Sequence, residues 1–138
     1  MSNERDFDVF LSYSGEGRPW AREFANALRS EGIRAWHDEE EITFGDKWVE
    51  KMESALRHSP AVVFIITPAS LDSPWTFFEI GAAIAGEKRI IPIIIDDIAP
   101  EALPRSLRQY QFLRETAPSR AAELIAGVLK SAPTDAAA

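Results

Sequence analysis

Glu79 is the side chain in this sequence best placed to do chemistry. Between Asp72 and Glu87 it is the one ionisable residue in a stretch of apolar and small side chains. Ser73-Pro74 supplies a helix-start signal ahead of it, because proline is tolerated in the first helical turn. At about 100° per residue, Trp75, Glu79, Ala82, Ala83 and Gly86 share one helical face, and Phe77, Gly81 and Ile84 share the opposite face. The large side chains of the second face are expected to pack a sheet. The first face then presents a carboxylate with an indole one turn before it and small residues after it. Glu79 lies too far into this helix for a first-turn cap, and no Lys or Arg stands three or four residues away on either side. An unpaired carboxylate in apolar company is costly unless it is used or paired. A functional role is therefore the favoured reading over a structural one.

Weaker candidates flank it. Ser12-Tyr-Ser-Gly-Glu-Gly17 is a small-residue loop whose backbone N–H groups could cradle a phosphate. It is neither GxGxxG nor a P-loop with its lysine, and a plain strand-to-helix turn explains it as well. The segment from His37 to Asp46 holds five acids and no base, and so carries −5 of the net charge of −7. Glu39, Glu40 and Glu41 read as a solvated acidic loop, whereas Asp38 follows a strand directly, at the edge where ligands bind. The oxygen-ligand spacing of an EF-hand is absent, and no metal is expected. His37 has no second ligand nearby, and His58 sits at a helix end, where the dipole is the ordinary explanation. No nucleophile–His–acid arrangement suggests itself around Ser12 or Ser14. Phosphoryl-acceptor chemistry of the receiver type would need an Asp at the end of the third strand, where Thr67-Pro68 stands.

The elements that must position these residues alternate along the chain. Strands are expected at Phe7–Tyr13, Ile33–Trp36, Ala61–Thr67, Ile90–Ile95 and, more weakly, Tyr110–Arg114. The third and fourth are nearly unbroken aliphatic runs, as in strands buried on both faces of a parallel sheet. Trp20, Phe24, Ala27 and Leu28 recur with helical spacing, as do Trp48, Met52, Ala55 and Leu56, with Thr43-x-x-Asp46 as a start signal. Ala121, Leu124, Ile125 and Val128 form the apolar stripe of a last helix. Strand–helix alternation implies right-handed crossovers and a doubly wound α/β sandwich. Ligands in such sheets bind outside the carboxyl ends of the strands, which directs attention to Ser12–Gly17, His37–Gly45, Thr67–Trp75 and Asp96–Asp97.

The 138 residues make one domain at 46% hydrophobic and 27% charged, an ordinary globular composition. Asp and Glu outnumber Lys and Arg by 22 to 15, which argues against nonspecific nucleic-acid or anionic-membrane binding. There is no cysteine, hence no disulfide framework. The apolar runs are too short to span a bilayer, and Met1-Ser-Asn-Glu-Arg-Asp6 lacks the apolar core of a signal peptide. A cytoplasmic domain over residues 1–131 is expected, with 132–138 as a flexible tail or the start of a linker.

Together the segments resemble the Toll/interleukin-1 receptor (TIR) domain family, over about residues 6–130. Asp8-Val-Phe-Leu-Ser-Tyr13 resembles its first box. Trp36-His-Asp38, then Ile42-Thr-Phe-Gly45 and Trp48, resemble the loop after the second strand. Ile65-Ile-Thr-Pro-Ala-Ser70 and Ser73-Pro-Trp75-x-x-x-Glu79 resemble the third strand and the helix after it. The resemblance implies a flavodoxin-like sandwich with a central five-stranded parallel sheet and helices on both faces. The family contains scaffolds that signal by oligomerising and enzymes that cleave NAD⁺. In the enzymes the catalytic residue is a glutamate in the helix after the third strand, four residues beyond an aromatic, and Glu79 and Trp75 match those positions. The ligand-contacting loops map onto Ser12, Ser14, Asp38 and Ser70. Ser14-Gly15 stand where some members carry an arginine. The sequence resembles the bacterial branch, whose enzymes commonly act in antiphage defence. The resemblance thus implies an NAD⁺ glycohydrolase or cyclase with NAD⁺ as substrate, not cofactor. It also implies self-association with other TIR domains, filaments among the forms, driven by a sensor module elsewhere in a longer protein or on a separate one. The rival reading is a noncatalytic adaptor that uses the His37–Gly45 loop to bind other TIR domains; an FMN carrier, suggested by the Ser/Gly loop, is the remote third.

Overall fold

The computed structural model describes residues 7–37, 54–71, 81 and 85–131. Five strands form a single sheet: β1 (Val9–Ser12), β2 (Ala35–Trp36), β3 (Ala61–Ile66), β4 (Arg89–Ile94) and β5 (Leu113–Arg114). Their order is β2-β1-β3-β4-β5 and every pairing is parallel. The helices between them are α1 (Arg18–Ser30), α2 (Pro68–Leu71), α3 (Arg105–Arg108) and α4 (Pro118–Ser131), with residues 54–57 also helical. This is the doubly wound, flavodoxin-like α/β sandwich expected from the sequence.

Side-chain alternation along the strands builds two cores. Val9, Leu11, Ala35, Ala61, Val63, Ile65 and Ile93 face α1 and α4, meeting Phe24, Leu28, Ala122 and Ile125. Phe10, Trp36, Val62, Phe64, Ile66, Ile90 and Ile94 face the other way, against Leu56, Leu103 and Leu107. Phe10 and Trp36 stack across β1 and β2, with ring centroids 4.8 Å apart. Each fully buried side chain of this size contributes roughly 1.5–3 kcal/mol, so the twelve residues of β1, β2 and β3, all buried, form a rigid floor for the loops at their ends.

Several boundaries move inward from the sequence expectation. The chain leaves α1 through a Schellman turn: Gly32 adopts φ +83°, Gly32 N–H bonds Arg29 O and Ile33 N–H bonds Leu28 O. Ile33 is thereby committed to the helix end, and β2 shortens to two residues. Tyr110 N–H likewise bonds Leu107 O, which delays β5 to Leu113. On α1 the buried face is Ala21, Phe24, Ala25 and Leu28, so Trp20 and Ala27 flank the stripe; Trp20 is half-buried and donates Nε1–H to Thr116 O at 2.9 Å. Val128, expected in the apolar stripe of the last helix, is 39% exposed, because Ala121, Ala122, Ile125 and Ala126 form the inward face. Gly81, assigned to a sheet-facing stripe, is exposed, and a Cβ there would meet nothing within 4 Å. On the helical wheel it lies at the flank of the Phe77–Ile84 stripe, not its centre.

Candidate functional site

The chain runs from β1 out to β2 at one edge and then back across to β3, so the strand order reverses between β1 and β3. Connections on opposite faces leave a crevice at the carboxyl ends of these two strands, where ligands bind in open α/β sheets. β1 ends at Ser12, paired with Phe64 and only 4% exposed. Ser14 follows on a one-turn 3₁₀ helix, Gly15–Gly17, closed by Gly17 N–H to Ser14 O at 2.9 Å. Pro19 then sits in the first turn of α1, where it needs no hydrogen bond. A Cβ at Gly17 would stand 3.6 Å from Thr67 Cγ2, so this turn lies against the end of β3.

β3 gives way from six consecutive apolar residues to Thr67-Pro-Ala-Ser70. Thr67 caps α2: its Oγ1 accepts Ser70 N–H at 3.2 Å, and Ser70 Oγ in turn accepts Thr67 N–H at 2.9 Å. This reciprocal pair is a capping box with serine in the position usually held by Glu or Gln. Ser70 Oγ–H also donates to Thr67 O at 2.8 Å, and Pro68 occupies the first helical position. Two contacts join this turn to the loop after β1. Ser14 Oγ lies 3.3 Å from Thr67 Oγ1, and Glu16 Oε1 accepts the Ala69 N–H at 3.3 Å.

On the other side of β1 stands a buried imidazole. His37 follows β2 directly and is 1% exposed. Its Nδ1 lies 3.4 Å from the Tyr13 hydroxyl, and the two rings meet edge to face at 5.9 Å. Its Nε2 is buried and has no partner among the described residues. His58, by contrast, donates Nδ1–H to Ser54 O at 2.9 Å, in keeping with a helix-end role. Asp96 and Asp97 are likewise accounted for locally: Asp96 Oδ1 accepts Asp97 N–H, while Arg114 donates to Asp96 O and Ile98 O. The perturbed titration among the described residues lies far from this edge. Lys88 Nζ donates to Arg57 O and Ser59 O, and burial first, then the Arg57 charge, holds its pKa below the ordinary lysine value.

The fold therefore brings Ser12, Ser14 and Ser70 to one edge, with Ser14 and Ser70 joined through Thr67. Asp38, Trp75 and Glu79 lie outside the described residues, as do Glu39–Glu41, Thr43–Asp46, Trp48, Met52, Ser73-Pro74, Phe77, Ile84 and the tail from 132 to 138. Sequence reasoning pointed to the segments that hold Thr67, Glu16, Tyr13 and His37 but gave none of the four a role at this edge. Thr67-Pro68 carried a readable signal, since a threonine followed by proline marks a helix start. His37 and Tyr13 did not, because they are 24 residues apart and meet only through the parallel pairing of β1 with β2. An apolar groove of about 450 Å³ lies elsewhere, lined by Arg89, Ile91, Phe112, Leu113, Leu124 and Val128 at the amino ends of β4 and β5.

Comparison with known proteins bears on this arrangement. The family model for the TIR domain matches residues 9–126. The chain is 32% identical over 94 residues to the 2′ cyclic ADP-D-ribose synthase BtTIR of Bacteroides thetaiotaomicron, covering 64% of this chain and 33% of that protein. It is 28% identical over 98 residues to the NAD(+) hydrolase TcpA of a Theionarchaea archaeon, covering 67% and 30% respectively. The chain thus spans about a third of the length of these curated relatives. In fold it is similar to a metazoan TIR-STING receptor from C. gigas, with TM-score 0.80 at 21% identity over 94% of this chain and 41% of that one. A family model covering nearly the whole of β1 through α4, on the sheet order and switch-point edge described above, places the chain: it belongs to the TIR domain family.

Proposed function

We propose that this domain cleaves the ribose–nicotinamide bond of NAD⁺, releasing nicotinamide with ADP-ribose or a cyclic ADP-ribose isomer. The observation that carries the reading is the hydroxyl cluster of Ser14, Thr67 and Ser70, next to Ser12 at the end of β1, at the switch-point edge of a TIR fold. The sequence Trp75-x-x-x-Glu79 follows it in the chain. Relatives named as a cyclic ADP-ribose synthase and an NAD(+) hydrolase support it.

Glu79 is the proposed catalytic residue. Breaking the glycosidic bond passes through an oxocarbenium-like state, and one carboxylate beside the ribose hydroxyls stabilises the developing cation. Nicotinamide leaves as a neutral molecule, so no general acid is required. Trp75, one helical turn earlier, stacks on the nicotinamide ring. Ser12, Ser14 and Asp38 contact the rest of the dinucleotide. Ser70, with its hydroxyl bonded to Thr67, acts mainly through the shape of the α2 turn. NAD⁺ is a substrate, and no metal or cofactor takes part. Activity depends on self-assembly with further TIR domains, in a cytoplasmic antiphage effector whose sensor module drives clustering. Among the described residues no helix is long and apolar enough to cross a membrane.

The test is incubation of the purified chain with NAD⁺ and chromatographic analysis of the products, beside Glu79→Gln. The variant should lose at least ~10²-fold in turnover, the usual cost of removing a transition-state charge partner, with an unchanged circular dichroism spectrum. A folded Glu79→Gln that keeps more than about a tenth of wild-type turnover would overturn the assignment and favour the adaptor reading.

A further inference from the structure

We propose that His37 is a positioning residue: through Tyr13 it holds the Ser12–Ser14 strand end in the conformation that receives the dinucleotide, at the expense of stability. The inference rests on the NAD⁺ reading for what the strand end receives, while the brace itself rests on geometry alone.

The imidazole is a poor choice for a residue that only fills space. His37 is 1% exposed and follows Ala35 on the α1 and α4 side of the sheet, where its strand neighbours Ala35 and Leu11 are apolar. One ring nitrogen, Nε2, is buried without a partner among the described residues. Among the described residues that buried atom gains no partner for the hydration it loses, whereas an apolar side chain of similar length has no such hydration to lose. Local polar choices that cost stability concentrate where a fold does its work.

What the imidazole gains is Tyr13. Its Nδ1 faces the Tyr13 hydroxyl at 3.4 Å, with the rings edge to face. Either nitrogen can carry the proton, since the tyrosine hydroxyl both donates and accepts. Tyr13 is the residue between Ser12 and Ser14, so a fixed Tyr13 ring fixes the backbone of both. Ser14 then meets Thr67 on the far side at 3.3 Å. The chain of contacts His37–Tyr13–Ser14–Thr67 thus crosses the carboxyl ends of β2, β1 and β3, on both sides of the crevice. At 3.4 Å the Tyr13–His37 bond is long by ordinary standards. Bonds that orient a binding edge are often long without substrate and tighten in the complex.

The experiment uses the full chain at one fixed protein concentration and compares wild type with His37→Met, His37→Asn and the double variant Tyr13→Phe/His37→Met beside Tyr13→Phe. Three quantities are read: the thermal midpoint, KM and kcat for NAD⁺, and saturation binding of ADP-ribose, which needs no turnover. His37→Met should unfold at the same or a higher temperature. Its KM and its ADP-ribose dissociation constant should rise by roughly threefold to tenfold, the worth of one neutral hydrogen bond, with kcat within about twofold. His37→Asn, whose amide falls near the Nδ1 position, should recover most of the KM loss. In the Tyr13→Phe background His37→Met should add nothing further. A His37→Met variant that melts several degrees lower with unchanged KM and ADP-ribose binding makes His37 a structural residue and overturns the proposal, while the NAD⁺ reading stands. If wild type neither cleaves NAD⁺ nor binds ADP-ribose, it is the NAD⁺ reading that fails; the brace is then decided by the midpoints, and a lower midpoint for His37→Met overturns it.

Discussion

Ser70→Ala should destabilise the domain by about 1–3 kcal/mol, and Thr67→Val by less. Each removes one half of the capping box, so the difference between them isolates the cost of leaving the buried Thr67 N–H without Ser70 Oγ. Ser70 Oγ accepts Thr67 N–H at 2.9 Å and donates to Thr67 O at 2.8 Å. When it is removed, Thr67 O keeps a partner, because Ser70 N–H also bonds it at 3.1 Å. Thr67 N–H loses its side-chain acceptor at a residue 4% exposed. A buried donor without a partner costs its desolvation, about 1–3 kcal/mol. Thr67→Val leaves no such orphan. It removes Oγ1, which holds two long contacts, Ser70 N–H at 3.2 Å and Ser14 Oγ at 3.3 Å. Ser70 N–H falls back on Thr67 O, and Ser14 is half-exposed and can turn to water. The loss should stay near the net worth of one hydrogen bond, about 0.5–1.5 kcal/mol.

Thermal unfolding followed by circular dichroism measures both, since a 1 kcal/mol change moves the midpoint of a domain this size by roughly 3–5 °C. The order is the discriminating result. Ser70→Ala should melt below Thr67→Val, and both should raise KM for NAD⁺ because the turn flanks the crevice. A Thr67→Val that melts lower than Ser70→Ala would show that the contacts of Thr67 Oγ1, to Ser70 N–H and Ser14 Oγ, and not the Ser70 Oγ bond to Thr67 N–H, hold the turn.

Two further outcomes are expected. Specific activity should rise with protein concentration, with crowding or with added salt, since copies carrying a net charge of −7 repel one another until screened; flat specific activity over a thousandfold dilution of a protein monomeric by light scattering would refute the assembly requirement. Glu87→Gly should raise the thermal midpoint by a few degrees, because the exposed Glu87 holds φ +57°, a left-handed conformation that costs a side-chain-bearing residue roughly 1 kcal/mol; a lower midpoint would mean that the glutamate side chain makes up for the strain.

The fold was legible because its strongest signal is periodicity. Ala61–Ile66 and Arg89–Ile94 could be read as strands buried on both faces from their aliphatic runs alone. Phe24 and Leu28 marked the inner face of α1 in the same way. The strand ends were less legible, because there local hydrogen bonds compete with the ladder. Gly32 hands Ile33 N–H to Leu28 O, and Tyr110 N–H turns back to Leu107 O; neither residue's hydropathy records this. Of the candidate site, Ser12, Ser14 and Ser70 were named from loop position and family resemblance, and the fold joins Ser14 and Ser70 through Thr67, with Ser12 beside them at the end of β1. Thr67 itself was read as the last residue of a strand and the first of a segment near the ligand edge, with no role of its own. His37 was dismissed as a histidine without a second ligand, because its significance depends on burial and on Tyr13 in the next strand.

The two ends of the sheet treat their polar groups in opposite ways, and the contrast locates the working edge without reference to any ligand. At the amino ends the polar groups are closed by one another. Asp8 Oδ2 accepts Arg34 N–H at 2.8 Å, Asp8 N–H bonds Arg34 O, and Arg89 N–H bonds Pro60 O. Ser59 Oγ donates to Ala55 O at 2.7 Å, and Lys88 Nζ closes Ser59 O at 2.7 Å. The Asp8–Arg34, Arg89–Pro60 and Lys88–Ser59 contacts tie an incoming strand to its neighbour, and Ser59–Ala55 closes the helix end before β3. At the carboxyl ends aliphatic runs stop abruptly in small hydroxyl residues, Ser12 after Leu11 and Thr67 after Ile66. There the Thr67–Ser70 turn closes on itself at 2.8 and 2.9 Å, but the side-chain contacts between elements are longer, 3.3 Å for Ser14–Thr67 and 3.4 Å for Tyr13–His37, and His37 Nε2 is the buried side-chain polar atom left unpaired among the described residues. Long side-chain contacts between elements and an imidazole nitrogen without a partner among the described residues suit a polar, many-hydroxyl ligand, which can offer hydrogen-bond partners when it binds.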